Sequence, residues 1–100
     1  EGVLFLGDDR ALLSGGGVQC WRLSGGAWSQ IGNVSNLTTA FRGLTGRTSG
    51  ANYVLYGITA ETRARLQRID VDASTLAGTV TTVATAPLNT TYRGVAFAPR

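Results

Sequence analysis

Three of the four asparagines in this chain stand in the triplet Asn-x-Ser/Thr, as Asn33-Val34-Ser35, Asn36-Leu37-Thr38 and Asn89-Thr90-Thr91. That triplet is the acceptor for N-linked glycosylation, which puts a bulky sugar on the carboxamide nitrogen and needs an accessible loop. With 19 Ser plus Thr in 100 residues, about 0.8 such triplets are expected by chance among four asparagines. Asn33, Asn36 and Asn89 are therefore the leading candidates for modification, with a Thr-rich chain matching by accident as the alternative. Asn33 and Asn36 are too close together for full occupancy of both.

The remaining chemistry-bearing residues form weaker patterns. Asp70-Val71-Asp72-Ala73-Ser74 has the alternation with which side-chain oxygens open many calcium loops. Thr75 stands where such a loop needs glycine, and Thr81 stands where it closes on glutamate. A strand running into an Asp/Ser turn is the expected structure, and no metal is called for. Asp8-Asp9 reads the same way, as a turn first and a ligand pair second. Trp21 and Trp28 can stack on a sugar ring, or can be buried between sheets. Arg42-Gly43 recurs as Arg93-Gly94. These two guanidinium groups either line a channel as a cationic ring or tie neighbouring sheets together through backbone carbonyls.

Catalysis finds no support. The chain has no His and no Lys, which removes His-based triads, His metal sites and the P-loop lysine, and no serine sits in a Gly-x-Ser-x-Gly elbow. Gly15-Gly16-Gly17 lacks the later glycine of a dinucleotide loop. The reading is a non-enzymatic chain with no cofactor.

Composition bounds the elements that position these residues. The chain is 43% hydrophobic and 15% charged, the profile of one small globular domain. A domain of this size buries only roughly 60 to 70% of its unfolded surface, so its core is thin and profits from a partner. The net charge of +3 comes from nine arginines against six acids. The arginines are scattered, with only Arg63, Arg65 and Arg68 gathered on one strand-like run, so a solvated sheet face is expected and no nucleic-acid partner. The single cysteine, Cys20, cannot make an internal disulfide. It is read as a buried apolar residue, or as a bond to chain beyond these residues. The chain starts at Glu1, has no Met, and holds no signal-like segment or apolar run of about 18 residues. An excerpt or processed product without membrane insertion is expected.

A repeat organises the chain. Leu37-Thr38-Thr39-Ala40-Phe41-Arg42-Gly43-Leu44 aligns with Leu88-Asn89-Thr90-Thr91-Tyr92-Arg93-Gly94-Val95, and Val3-Leu4-Phe5 falls on Val54-Leu55-Tyr56 at the same 51-residue offset. Arg22-Leu23 meets Arg68-Ile69 if one loop differs by five residues. The turn residues and apolar runs predict strands at Val3 to Leu6, Val18 to Leu23, Trp28 to Gly32, Phe41 to Thr45, Tyr53 to Thr59, Ala64 to Val71, Thr79 to Ala84 and Tyr92 to Phe97. Val3 to Leu6 and Tyr53 to Tyr56 are apolar at every position, so both are expected to be covered on both faces.

The run Cys20-Trp21-Arg22-Leu23-Ser24-Gly25-Gly26-Ala27-Trp28-Ser29-Gln30-Ile31 resembles the third strand, turn and Trp-led fourth strand of kelch-like propeller blades, whose spacing is also near 50 residues. Leu6-Gly7-Asp8 and Tyr56-Gly57-Ile58 stand where that pattern has a glycine pair, and Thr79 stands at the second copy's Trp position. The expected fold is all-β: antiparallel four-stranded sheets forming about two blades of an incomplete β-propeller. Copy one spans about 1–36, copy two about 37–87, and 88–100 starts a further blade or supplies a closing strand. The expected function is an extracellular or cell-surface structural and adhesive module that associates with copies of itself or with the rest of a longer parent chain. A lectin-like, carbohydrate-binding propeller module using Trp21 and Trp28 is the alternative.

Overall fold

The computed structural model describes residues 2–14 and 16–86 of the chain. Within them run seven strands: β1 (Gly2–Asp8), β2 (Gly17–Ser24), β3 (Ala27–Asn33), β4 (Phe41–Ser49), β5 (Asn52–Thr59), β6 (Arg65–Val71) and β7 (Gly78–Thr85). Consecutive strands pair antiparallel into a three-stranded sheet, β1-β2-β3, and a four-stranded sheet, β4-β5-β6-β7. A single 3-10 turn, Leu12–Ser14, interrupts the connection from β1 to β2. The seven runs expected from Val3 to Ala84 are all strands. Most extend beyond the apolar run, because the ladder continues until the turn itself. The eighth expected run, Tyr92 to Phe97, lies outside the described residues.

Local turn chemistry sets the registers. Ser24 faces Ala27 across Gly25 and Gly26, whose φ of 61° and 80° give the two left-handed residues of a type I′ turn. Between β6 and β7 the chain turns on Asp72, whose carbonyl accepts from Leu76 N at 2.8 Å while its own N–H donates to Ala77 O at 3.0 Å.

The two sheets pack face to face. On the first sheet, the face bearing Phe5, Val18 and Cys20 turns toward the second sheet, with the Phe5 ring edge-on to Tyr53 at 4.9 Å. The second sheet answers with Phe41, Leu55, Ile69 and Val71, which join Val18 and Val34 in the core. Each such covered side chain contributes roughly 1.5–3 kcal/mol of burial.

The ladders also correct the alignment of the two copies. With Val3-Leu4-Phe5 on Val54-Leu55-Tyr56, the pairs Phe5 with Cys20 and Tyr56 with Arg68 make Cys20 the counterpart of Arg68. Gln19 then corresponds to Gln67, Trp21 to Ile69 and Leu23 to Val71. The expected match of Arg22-Leu23 to Arg68-Ile69 is therefore out by two residues, a slip that keeps every side chain on its face. The counterpart of Trp28 is Gly78 rather than Thr79, since Leu23 pairs with Trp28 and Val71 with Gly78.

This equivalence exposes a difference in covering. Leu55 is 1%, Ile69 0% and Val71 1% exposed, while Leu4 and Leu6 on the corresponding face of the first sheet are 46% and 47% exposed. The expectation of two-sided burial holds for β5, where Val54 and Ile58 are buried on one face and Leu55 on the other. For β1 it does not hold: among the described residues only one of its faces has a sheet against it.

The link from one sheet to the next runs across the start of β7. Val34 N donates to Val18 O at 2.9 Å, Ser35 N donates to Leu76 O at 3.0 Å and accepts at its carbonyl from Gly78 N at 3.2 Å. Gly78 lies directly under this crossing: a Cβ there would stand 2.8 Å from both the Ser35 carbonyl oxygen and Val34 Cγ1. Backbone cannot yield as a side chain can, so Gly78→Ala is expected to destabilise the chain by about 1–3 kcal/mol. Thermal unfolding should show the midpoint lowered by at least about 4 °C, with the exposed neighbour Thr79→Ala unchanged.

Candidate interaction face and modification sites

The outward face of the first sheet gathers the largest apolar side chains that remain accessible. Strand alternation places Leu4 and Leu6 of β1, Trp21 and Leu23 of β2 and Trp28 of β3 on this one face. Leu4, Leu6, Trp21 and Trp28 line a groove of about 130 Å³. Trp28 is 48% exposed and Trp21 is half-buried, so burial between two sheets, one of the two fates expected for them, does not occur among the described residues. Trp21 Nε1 donates to Gln19 Oε1 at 3.0 Å, and Gln19 Nε2 donates to Asp8 at 3.1 Å. The indole is thus fixed in place by its own sheet. Leu4 and Leu6 complete this groove, and they were legible in the sequence only as part of a strand apolar on both faces.

The two asparagine candidates within the described residues are exposed and flank the crossing between the sheets. Asn33 ends β3, and its Oδ1 accepts from Gln30 Nε2 at 2.6 Å. Asn36 sits in the connector with φ 65°, a left-handed conformation that asparagine tolerates better than most residues. Its Nδ2 donates to Gly78 O at 3.4 Å. A sugar on Nδ2 leaves one hydrogen on that nitrogen, so the contact and the modification are compatible. The third candidate, Asn89, lies outside the described residues.

Arg42 stands apart from the tryptophans. Its guanidinium donates to the Glu61 carbonyl at 3.5 Å, within its own sheet. It also borders a cleft of about 270 Å³ that includes Gly7, Asp8 and Asp9 of the first sheet. Asp8 is already engaged there by Arg10 at 2.6 Å and by Gln19. The other member of the repeated pair, Arg93, lies outside the described residues.

The Asp70–Ser74 run divides between two unconnected jobs. Asp70 pairs with Arg68 at 2.8 Å on β6. Asp72 Oδ1 accepts from Ser74 N at 2.8 Å, from Ser74 Oγ at 2.6 Å and from Thr75 N at 3.3 Å, which shapes the turn into β7. Among the described residues, no three His, Cys, Asp or Glu side chains converge in a way that holds a metal. No helix among them is long and apolar enough to cross a membrane. Cys20 is a free thiol 1% exposed. Burial pushes its pKa up, against a smaller opposing effect of Arg22, so a bond from Cys20 to another chain would require the packed face to open.

Three carboxylates are held below their ordinary range by hydrogen bonds. For Asp8 the chief cause is Arg10, for Glu61 the Thr59 hydroxyl ahead of Arg65, and for Asp72 the Ser74 hydroxyl and backbone. A folded pKa below the unfolded one stabilises the fold above the unfolded value and loses that contribution as pH falls through the folded value. The thermal midpoint should therefore be flat above about pH 5 and fall below about pH 4. Asp72→Asn, which keeps an acceptor oxygen but removes the titration, should flatten that acid-side slope. No family model, no curated protein and no solved structure matches the chain.

Proposed function

We propose that this chain is a non-enzymatic, kelch-like β-propeller segment of about two blades, serving as a structural and adhesive module at the cell surface or outside the cell. Its mechanism is burial of sheet faces against copies of itself or against the rest of a longer parent chain. One observation carries the reading. The face of the second sheet bearing Leu55, Ile69 and Val71 is covered by the first sheet, and the equivalent face bearing Leu4, Trp21 and Leu23 has no sheet over it among the described residues. Two sheets stacked in this head-to-tail sense repeat naturally into a radial array. A face of one kind then meets a face of the other kind at every junction. Asn33 and Asn36, exposed beside the connector, fit an extracellular glycoprotein.

A lectin-like use of the same face rests on Trp28, whose half-exposed ring adjoins Trp21. Sugar recognition needs hydrogen-bonding groups beside the aromatic platform. The groove's walls are Leu4, Leu6 and two indoles, and the Trp21 N–H is already donated to Gln19. Such a lining favours an apolar sheet face over a sugar.

Sedimentation velocity separates the two. The chain is expected to sediment as a multimer, and Leu6→Glu to sediment as a monomer that keeps the β-sheet circular dichroism of the unmodified chain, with a thermal midpoint lowered by the lost association. A monomeric parent chain that binds a glycan array, with binding lost in Trp28→Ala, would replace assembly by the lectin reading. The intact mass of the chain from its natural source should carry hexose increments that map to peptides containing Asn33 or Asn36. An unmodified mass would remove the glycoprotein part of the proposal.

A further inference from the structure

A candidate modification site and the accessible tryptophans share one face of the first sheet. Leu6 pairs with Gln19 and Gln19 with Asn33, so these three side chains form one row across β1, β2 and β3. Leu4, Trp21 and Gln30 form the next row on the same face. Gln30 and Asn33 are three residues apart, a spacing that in a regular strand puts side chains on opposite faces. The register shift at Cys20 and Trp21 leaves Ile31 without a partner on β2, and this extra residue returns both carboxamides to one side. Their contact records it: Gln30 Nε2 donates to Asn33 Oδ1 at 2.6 Å. Asn33 and Trp21 are thus diagonal neighbours, a relation that spans about 7–8 Å.

We propose that an N-linked sugar on Asn33 lies back over this face and stacks on Trp21, so that modification of Asn33 covers the face and modification of Asn36 leaves it open for assembly. The inference rests on the glycoprotein and assembly readings above. In the modification, Asn33 Nδ2 displaces the diphosphate from the anomeric carbon of an activated sugar donor. A C–N bond forms, the C–O bond to the diphosphate breaks, and one amide proton is released. Oδ1, the atom that Gln30 holds, takes no new bond, so the Gln30 contact fixes the direction in which the sugar leaves the strand.

A pyranose ring has a face made of C–H groups, and a flat aromatic side chain takes that face. Trp21 is suited to it because its indole is already held. Its Nε1 donates to Gln19 Oε1 at 3.0 Å, and Gln19 Nε2 donates to Asp8 at 3.1 Å, so stacking costs little further side-chain freedom. The groove's shortage of hydrogen-bonding groups weighs against a free sugar. It matters less for one attached a row away, because the tether makes the contact intramolecular, at a millimolar effective concentration. Asn36 stands elsewhere: its Nδ2 donates to Gly78 O of β7 at 3.4 Å, so a sugar there starts beside the second sheet. The two asparagines are too close for full occupancy of both, and the choice between them is therefore a choice between a covered and an open face.

Two glycoforms of the full chain test this. Made in a secretory host, a chain with Thr38→Ala and Thr91→Ala keeps only the Asn33 triplet, and one with Ser35→Ala and Thr91→Ala keeps only the Asn36 triplet. Ser35 and Thr38 are exposed, and both asparagines stay in place. Each glycoform is compared with the same variant from a host without N-glycosylation. In the Asn33 glycoform, nuclear Overhauser contacts are expected from sugar C–H protons to the Trp21 indole. Its self-association, read by sedimentation, should weaken at least about tenfold, the factor produced by an open fraction of about one tenth. The Asn36 glycoform should show neither effect. A sugar on Asn33 without contacts to Trp21 would overturn the covering, whether or not association weakens. Contacts to Trp21 with unchanged association would overturn the choice between the two sites as a control of assembly. Chains monomeric in every form that still show the contacts would uphold the covering and overturn the assembly reading. Sugar on Asn36 and none on Asn33 would overturn the inference and leave the glycoprotein reading standing, and sugar on neither would overturn both.

Discussion

Every β-sheet has two faces, and an apolar face in water must be covered by something. Among the described residues one contact between sheets meets the requirement. The first sheet lays Phe5 and Val18 against Phe41, Leu55, Ile69 and Val71 of the second, and the rest of the structure follows from that contact. It sets where the connector crosses, why Gly78 has no side chain, and which of two equivalent faces is left open. A domain of about 100 residues has little surface to spare for a second core. The uncovered Leu4, Leu6 and Trp28 are the outcome of stacking two sheets in one direction, since the outer face of the first sheet has no sheet over it among the described residues.

The polar residues support this arrangement rather than compete with it. Gln67 is buried in the face of the second sheet and donates to Thr82 across the β6–β7 pair at 3.2 Å. Thr59 is buried at the end of β5, where its hydroxyl oxygen accepts from Arg65 N at 2.8 Å. No buried side-chain nitrogen or oxygen among the described residues lacks a partner. Four carboxylates are held in pairs and turns: Asp8 with Arg10, Glu61 with Arg65, Asp70 with Arg68, and Asp72 with its own turn. The accessible apolar face bearing Leu4, Leu6 and Trp28 is the physical basis for the proposed reading of the molecule as an interaction module.

The correspondence between the copies carries more than the individual motifs do. Trp28 and Gly78 occupy the same place in their sheets and have opposite sizes. At Gly78 a neighbouring connector passes within contact distance of the backbone, and a side chain there would have to displace Val34 and Ser35. At Trp28 the same space is filled by the indole itself. A position that is either a glycine under a crossing chain or a large aromatic ring at an open face is a junction position. The substitution from one to the other distinguishes an internal junction from an outer one.

Much of this was legible in the residues alone. Alternating apolar runs, Gly-Gly and Asp/Ser turns, and a 51-residue echo led to eight strand runs, of which the seven within the described residues are strands in two sheets, because strand pairing is governed by local period and turn chemistry that the sequence writes out directly. The exposure of Asn33 and Asn36 and the burial of Cys20 were likewise within reach. The register between the copies was not: Arg22-Leu23 matched Arg68-Ile69 by letter, while the ladder of hydrogen bonds to β1 and β5 placed the match two residues away. Nor did the sequence distinguish Leu4 from Leu55, two leucines in equivalent strands, one open to solvent and one sealed. Burial belongs to what stands opposite a side chain, and that is settled only when the sheets have stacked and one end of the stack is left without a neighbour.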